Sequence, residues 1–556
     1  MKTIKKVTAL CLVVVMMTTI LTGCSGGGNK AAPDAGQDSS GNSVGGEAQS
    51  IVRYTMTSIP KIDPGVGSDM AATTFFVNAY DPLVMPVKDG SVIPWVATEW
   101  KVSDDGLIWE FKLRTDITFH SGNKLTARDV AYTMNRMVKL GEGFGYLFNG
   151  TIKEAVAVDD YTVKFECSKV SGALLSALVR LYILDSELVK ANYGSGDYGE
   201  FGDYGKAFLL ENDAGSGPYK LKQYMANTYI HGEKFKDYWA GLDPNNPEEF
   251  KLIGSNEAVT VKTMMSRQEL EIADKYQSSE NITAMAAIDG VEIMPTQTGS
   301  VIYLLLNNKK APTDDVHIRR ALAYMLDYNT ICSQIFPESK QADSIIPSSV
   351  LGYKKMHNFE YNIEKAKEEI AQSKYASNIK DYPIEVSWVA ETPDREKLAL
   401  LIQAVASQAG VNVKVVKTPW ASVVENSTRV ESTPNVTTTL WSANYSEAGA
   451  VLEASIRSKP VGTWSNCCWI GDSNLDEMID KSLATIKKDL RIKQYEDIQD
   501  YLADKCVLIP VAETPERLAY QASYVDWKAG QQDELIPVMG YIYYMKNIFV
   551  YPEKRK

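Results

Sequence analysis

The residues that could do chemistry fall into a few short patterns, and each needs a particular setting to work. Gly41-Asn42-Ser43-Val44-Gly45 has the spacing of a hydrolase nucleophile elbow. That chemistry needs a strand before the serine and a helix after it. Residues 25–49 instead hold seven Gly, four Ser and one large aliphatic side chain, a composition expected to stay disordered. Gly194-Ser195-Gly196-Asp197-Tyr198-Gly199 has the spacing of a dinucleotide fingerprint. It follows a helical stretch rather than a strand, and Asp197, Glu200 and Asp203 repel a pyrophosphate, so a mobile acidic Gly/Tyr loop is expected. His120, His231, His317 and His357 lie far apart, with no metal-ligand spacing. With Cys11 and Cys24 in the leader region, Cys167, Cys332, Cys467, Cys468 and Cys506 remain, an odd number that matches no zinc pattern. Adjacent Cys467 and Cys468 are expected as partly buried free thiols, with a vicinal ring or a soft-metal pair as the alternative. No catalytic constellation survives, and no enzyme activity, metal or cofactor is expected.

The elements that carry these residues alternate between strands and helices. Ile51–Met56 reads as a strand, and Leu107, Trp109, Phe111 and Leu113 alternate with polar residues on one strand face. Thr126 and Asp129 have capping-box spacing, and Ala131, Met134, Asn135 and Val138 continue at helical spacing. A second helix starts after Asp314-Asp315, with Ile318, Ala321, Leu322 and Met325 on one stripe. Ile384–Val389 is a strand, Leu398–Ala406 a helix entered through Thr392 and Pro393, and Val411–Val415 a strand again. The chain is α/β with mixed sheets.

Composition narrows the function. At 556 residues, about three or four structural units are expected. The chain is 45% hydrophobic and 23% charged, enough for a large core. It carries 58 basic and 70 acidic residues, a net charge of −12. Such a field repels phosphate backbones, so no nucleic-acid partner is expected.

Lys2, Lys5 and Lys6 precede an apolar run from Val7 to Ile20. At ~1.5 Å per residue the run makes about 21 Å of helix, short of a ~30 Å hydrocarbon core, so residues 1–23 read as a signal peptide. Leu21-Thr22-Gly23-Cys24 resembles a bacterial lipobox, which implies a diacylglyceryl thioether on Cys24. Residues 24–50 then form a flexible tether reaching on the order of 25–30 Å. The expected location is the extracytoplasmic side of the cell membrane, held by that lipid.

One long stretch goes further. Ile93-Pro94-Trp95 through Glu99-Trp100, Ser103-Asp104-Asp105-Gly106-Leu107, Phe119-His120-Ser121-Gly122 and Leu125-Thr126-Ala127-Arg128-Asp129-Val130 closely resembles the signature of the extracellular solute-binding proteins of family 5. These are the oligopeptide-, dipeptide- and nickel-type proteins that feed ABC importers. Gly215-Ser216-Gly217-Pro218-Tyr219, Tyr238-Trp239, Leu305-Leu306-Asn307-Asn308 and Arg319-Arg320-Ala321-Leu322 follow in family order. The resemblance implies a two-lobed periplasmic-binding fold (type II, cluster C) with an additional third domain and a two-strand hinge. Lobe I would comprise 51–86, 209–297 and 511–556, the extra domain 87–208 and lobe II 298–510. The hinge would lie near Val301–Leu305 and Leu508–Val511.

The same resemblance places ligand-binding residues at Trp441, Asn444, Tyr445 and Glu447, and Trp420 is a further candidate. Asn444 stands where peptide-binding relatives carry an aspartate that pairs with the ligand's ammonium group, and Glu447, three residues on, could swing into the same space. Trp388, Trp464 and Trp469 are core or pocket walls. The function expected is membrane-anchored capture of a peptide or peptide-like solute for an ABC permease, by a monomer. The alternatives are a nickel chelate or an oligosaccharide as ligand, or a secreted hydrolase.

Overall fold

The computed structural model describes residues 50–356, 359–442, 444–458 and 462–555. The leader, Cys24 and the tether fall outside the described residues. Three sheets of four or more strands organise the rest, beside two small two-stranded ones. In chain order the strands are β1 (Ile51–Met56), β2 (Ala97–Val102), β3 (Ile108–Leu113), β4 (Ile152–Asp159), β5 (Thr162–Cys167), β6 (Tyr219–Met225), β7 (Tyr229–Lys234) and β8 (Glu249–Gly254). They continue with β9 (Val291–Leu306), β10 (Lys340–Gln341), β11 (Ile384–Val389), β12 (Val413–Thr418), β13 (Val436–Trp441) and β14 (Leu508–Gln521). The first sheet runs β1-β8-β7-β6, with β1 parallel to β8. The second, β2-β3-β5-β4, is antiparallel throughout. The third runs β10-β14-β9-β13-β11-β12.

The second sheet follows from its sequence pattern. Trp109, Phe111 and Leu113 of β3 are buried, as the alternation expects. Their face is covered by α1 (Ala127–Leu140), whose capping box forms between Thr126 and Asp129 and whose last turn closes on Gly141 at φ +64°.

The third sheet positions the site. Strands β11, β12 and β13 are mutually parallel, whereas β9 runs antiparallel to both β13 and β14. Helix α2 (Val316–Tyr324) starts on an Asp315 N-cap, as expected. Helix α3 (Asp394–Gln408) begins four residues earlier than its apolar stripe suggests. It also ends later, so the following strand starts at Val413 rather than Val411. The reason is local: Gly410 takes φ +75°, its N–H bonds Ser407 O, and the Val411 N–H bonds Ala406 O. Val411 therefore closes the helix in a Schellman-type turn and is unavailable to the strand.

Strands β9 and β14 are the longest, at 16 and 14 residues, and they pair along most of their length. Their register breaks between Thr296 and Ser300, opposite Glu516 and Thr514. Gly299 sits in that break at φ +73°. N-terminal to it β9 pairs only with β14, and beyond it β9 also pairs with β13. This break lies just before the Val301–Leu305 crossing expected from sequence, and a second register shift, between Ile302 and Tyr303, falls inside it.

Candidate functional site

Helix α3 carries the chain from β11 to β12 at the sheet edge. Helix α4 (Trp420–Asn426) carries it back past β11 to β13. The connection after β11 leads outward to β12 and the one after β13 leads the other way, toward β14, so β11 and β13 flank a topological switch point. Open α/β sheets place their ligand crevices at the carboxyl ends of such strands. Here those ends run into residues 390–394 and 442–448.

A cavity of about 110 Å³ occupies this position. Thr392, Asp394, Arg395 and Leu440 wall it from the third sheet, and Tyr276 and Ser279 cover it from the segment that follows Glu271. The cover is tied down: Asp394 accepts hydrogen bonds from the Ser279 amide at 3.1 Å and its hydroxyl at 2.8 Å. A polar chain runs along the floor. Lys275 Nζ lies 2.7 Å from Glu516 Oε1, Thr298 donates to the same oxygen at 3.1 Å, and Ser300 joins Thr298 and Ser442 at 2.8 Å each. Burial pulls the Lys275 ammonium down, but Glu516 and Tyr276 more than offset this and leave its pKa raised. Arg395 has no such partner. Among the described residues its side chain makes one hydrogen bond, 3.4 Å from Nη1 to Thr438 O, and burial pushes its pKa down to about 10.

The loop after β13 holds the residues expected from sequence, and the structure gives them unequal surroundings. Trp441 is buried. Asn444 donates its side-chain N–H to the Tyr146 hydroxyl and accepts at its main-chain oxygen from Arg180 Nε at 2.6 Å. Tyr445 is buried and walls a second cavity of about 340 Å³, together with Lys169, Glu453 and Asp480. Glu447 is committed elsewhere: Arg491 Nε and the Tyr495 hydroxyl bond Oε1, and the Ser176 hydroxyl bonds Oε2 at 3.1 Å. A swing toward Asn444 would break all three bonds. Trp420 is 37% exposed at the start of α4, edge-on to Trp464 with ring centres 5.0 Å apart. Trp388 and Trp469 are buried.

The remaining sequence candidates are structural. His120 bonds Asp213 and Gly217 O, His231 pairs with Glu249 and His317 with Glu369; His357 lies outside the described residues. Cys467 and Cys468 are free and fully buried, more so than expected, and burial pushes the Cys467 thiol up to about 11. The acidic Gly/Tyr loop is pinned by Asp203, whose carboxylate accepts the amides of Gly194, Gly205 and Ala207 at 2.8 Å each. Sequence reasoning missed Arg180, Tyr146 and Arg395. The first two lie 264 and 298 residues from Asn444, and Arg395 reads as an ordinary first-turn helix residue.

Comparison with known proteins bears on the family and the fold. The family described as bacterial extracellular solute-binding proteins, family 5 Middle, matches residues 91–462. The probable D,D-dipeptide-binding periplasmic protein DdpA of Escherichia coli K12 is 26% identical over 467 residues, covering 82% of this chain and 87% of that protein. The dipeptide-binding protein of Pseudoalteromonas sp. SM9913, solved in complex with Met-Leu, superposes with a TM-score of 0.77 at 19% identity, covering 90% of this chain and 100% of that one. NikZ of Campylobacter jejuni, solved in complex with Ni(L-His), gives 0.75 at 17% identity over 90% and 99%.

Proposed function

The chain belongs to the bacterial extracellular solute-binding proteins of family 5, and from that premise we propose that it is the membrane-anchored binding component of an ABC importer. It captures a peptide or peptide-like solute between two lobes and hands it to the permease. The observation that carries this reading is the crevice at the carboxyl ends of β11 and β13, covered by Tyr276 and Ser279 from a different part of the chain. A site built from two bodies opens when they part and buries its ligand when they close.

We assign 51–86, 209–297 and 511–556 to lobe I with the first sheet, 87–208 to the extra domain with the second, and 298–510 to lobe II with most of the third, whose β9 and β14 run on into lobe I. The break at Gly299 in β9 and the facing stretch of β14 serve as the hinge. Anchoring is assigned to Cys24 on its lipobox, which leaves the body on the extracytoplasmic side, working as a monomer. Mass spectrometry of solute carried through purification, followed by calorimetry with the identified compound, tests the reading. A peptide that binds without being consumed supports it. A sugar, a metal chelate or steady turnover replaces it.

A further inference from the structure

Resting on the two-lobed capture reading, we propose that Asp394 is a positioning residue for capture. Its carboxylate joins the N-termini of two helices, one from each lobe, and clasps the crevice shut over the solute. One helix is α3, which Asp394 itself begins. The other is the helix Ser279–Ala286 of lobe I. Asp394 Oδ2 accepts from the Ser279 amide at 3.1 Å and from its hydroxyl at 2.8 Å, across 115 residues of chain. Oδ1 accepts from Lys397 Nζ at 2.9 Å, and the same ammonium reaches Glu280 in the first turn of the lobe I helix. A carboxylate is favoured at a helix N-terminus, where backbone N–H groups lack partners. Asp394 serves two such ends at once.

The two helices are rooted in separate cores. Ile282 and Met285 of the lobe I helix cluster with Val291 and Ala519, whereas Leu398 and Ile402 of α3 cluster with Val386 and Trp388. What joins their N-termini is polar. Asp394 is 16% exposed, while Lys397 and Glu280 at the rim are 40% and 68% exposed. Such a contact parts and rehydrates without opening either core, as a closing contact must.

Both Asp394 oxygens are engaged, so this carboxylate is not left to read a charge on the solute. It lines the same cavity as Thr514 and Glu516, which face the register break in β9. Hinge, solute space and clasp therefore border one another. The clasp acts on the closed population, and apparent affinity scales with the fraction of chains in the binding-competent form. Every solute gains by the same factor, and selectivity is untouched.

Calorimetry on the full mature chain tests this, with Ala-Ala, trialanine and N-acetyl-trialanine drawn from a wider panel of di- and tripeptides. Asp394→Ala should weaken every peptide that binds by one common factor of at least fivefold, with the ratios between peptides held within twofold. Stopped-flow mixing should place that loss in faster dissociation. A residue that only supports the fold would lower the unfolding midpoint and leave dissociation unchanged. Ser279→Ala, on the other lobe, keeps the test open if Asp394→Ala does not fold; it should cost at least threefold, again evenly. The double variant should bind within twofold of Asp394→Ala alone, because both changes act on one contact. Unchanged affinity in both single variants, losses that multiply in the double, or a loss confined to some peptides overturns the clasp and leaves solute capture standing. Binding by the unmodified protein with no fall in its radius of gyration overturns two-lobed closure. Failure of every peptide to bind overturns peptide capture, and the clasp falls with either.

Discussion

Glu447 and Arg491 form a buried ion pair, with 1% and 6% of their side chains exposed. Arg491 sits on α5 (Lys488–Ala503), and Glu447 also accepts a bond from Ser176, so the pair ties the loop after β13 to two other parts of the molecule. Removing one partner strands a charge in the interior, which costs about 3–5 kcal/mol. Glu447→Gln should lower unfolding stability by about that much in urea titration. It should leave unchanged the ratio of affinities for free-amine and N-acetylated peptides, because this carboxylate is not free to read an ammonium. A stable variant with an altered ratio would return Glu447 to the ligand.

The amine end of the solute is the next test. An amide at position 444 cannot form the charge-assisted bond that a carboxylate offers an ammonium, worth about 1.5–3 kcal/mol. Free-amine and N-acetylated forms of one peptide should therefore bind within tenfold of each other in calorimetry. Asn444→Asp should then favour the free amine by on the order of 1–2 kcal/mol. A strong preference in the unmodified protein would mean that another acid reads the ammonium.

The sequence read local structure better than it read the site. The β3 alternation, the Thr126 capping box and the Asp315 N-cap depend on residues a few positions apart, and each formed where the spacing put it. Val411 was misread because a left-handed glycine before it extends the helix closure by one residue, a backbone effect that hydrophobic alternation does not register. The site was legible on one side only. Trp441 to Glu447 could be quoted as a block, but the groups that give Asn444 and Glu447 their surroundings are Tyr146, Arg180, Ser176 and Arg491. Those contacts span from 44 to nearly 300 residues of chain and leave no periodicity to find.

Closure gives a prediction about shape. A ligand that binds only the folded chain stabilises it by about 2.7 kcal/mol at a hundredfold excess over Kd. X-ray scattering should show a smaller radius of gyration with ligand than without. Gly299→Val should blunt that change, because a Cβ there meets Ser349 Oγ at 2.3 Å and the φ of +73° strains any branched residue. Full compaction in the variant would move the hinge away from the break in β9.

The anchor can be tested apart from the fold. Two acyl chains, each CH₂ worth ~0.8 kcal/mol when buried, hold a protein on a membrane stably. Cys24→Ser should move the protein from the membrane fraction to the medium or to an unprocessed precursor, followed by immunoblotting of fractionated cells. A variant that is fully processed and still membrane-bound would point to a different attachment.

Glu453 makes stability depend on pH in a direction opposite to that of most carboxylates. It lines the second cavity with no hydrogen bond among the described residues, and Arg457 Nη1 stands 3.8 Å from its carboxylate. Arg457 is itself paired with Asp480, Lys169 stands on the cavity wall, and the Tyr146 and Tyr445 hydroxyls are close enough to feel its charge. Burial outweighs the pull of Arg457 and Lys169 and pushes the Glu453 carboxyl up to about 7 from its ordinary 4.5. Between those two values the folded protein holds a proton that the unfolded chain has released. Stability therefore falls as pH rises through this window, and the loss is complete above the folded-state pKa. At ~1.4 kcal/mol per unit the loss is about 2–4 kcal/mol. Glu453→Gln mimics the protonated acid, so its urea midpoint should match that of the unmodified protein near pH 4.5. At pH 8 the variant should be the more stable by about 2–4 kcal/mol. An advantage of the same size at both pH values would show that the gain comes from packing, and that Glu453 is already ionised at neutral pH.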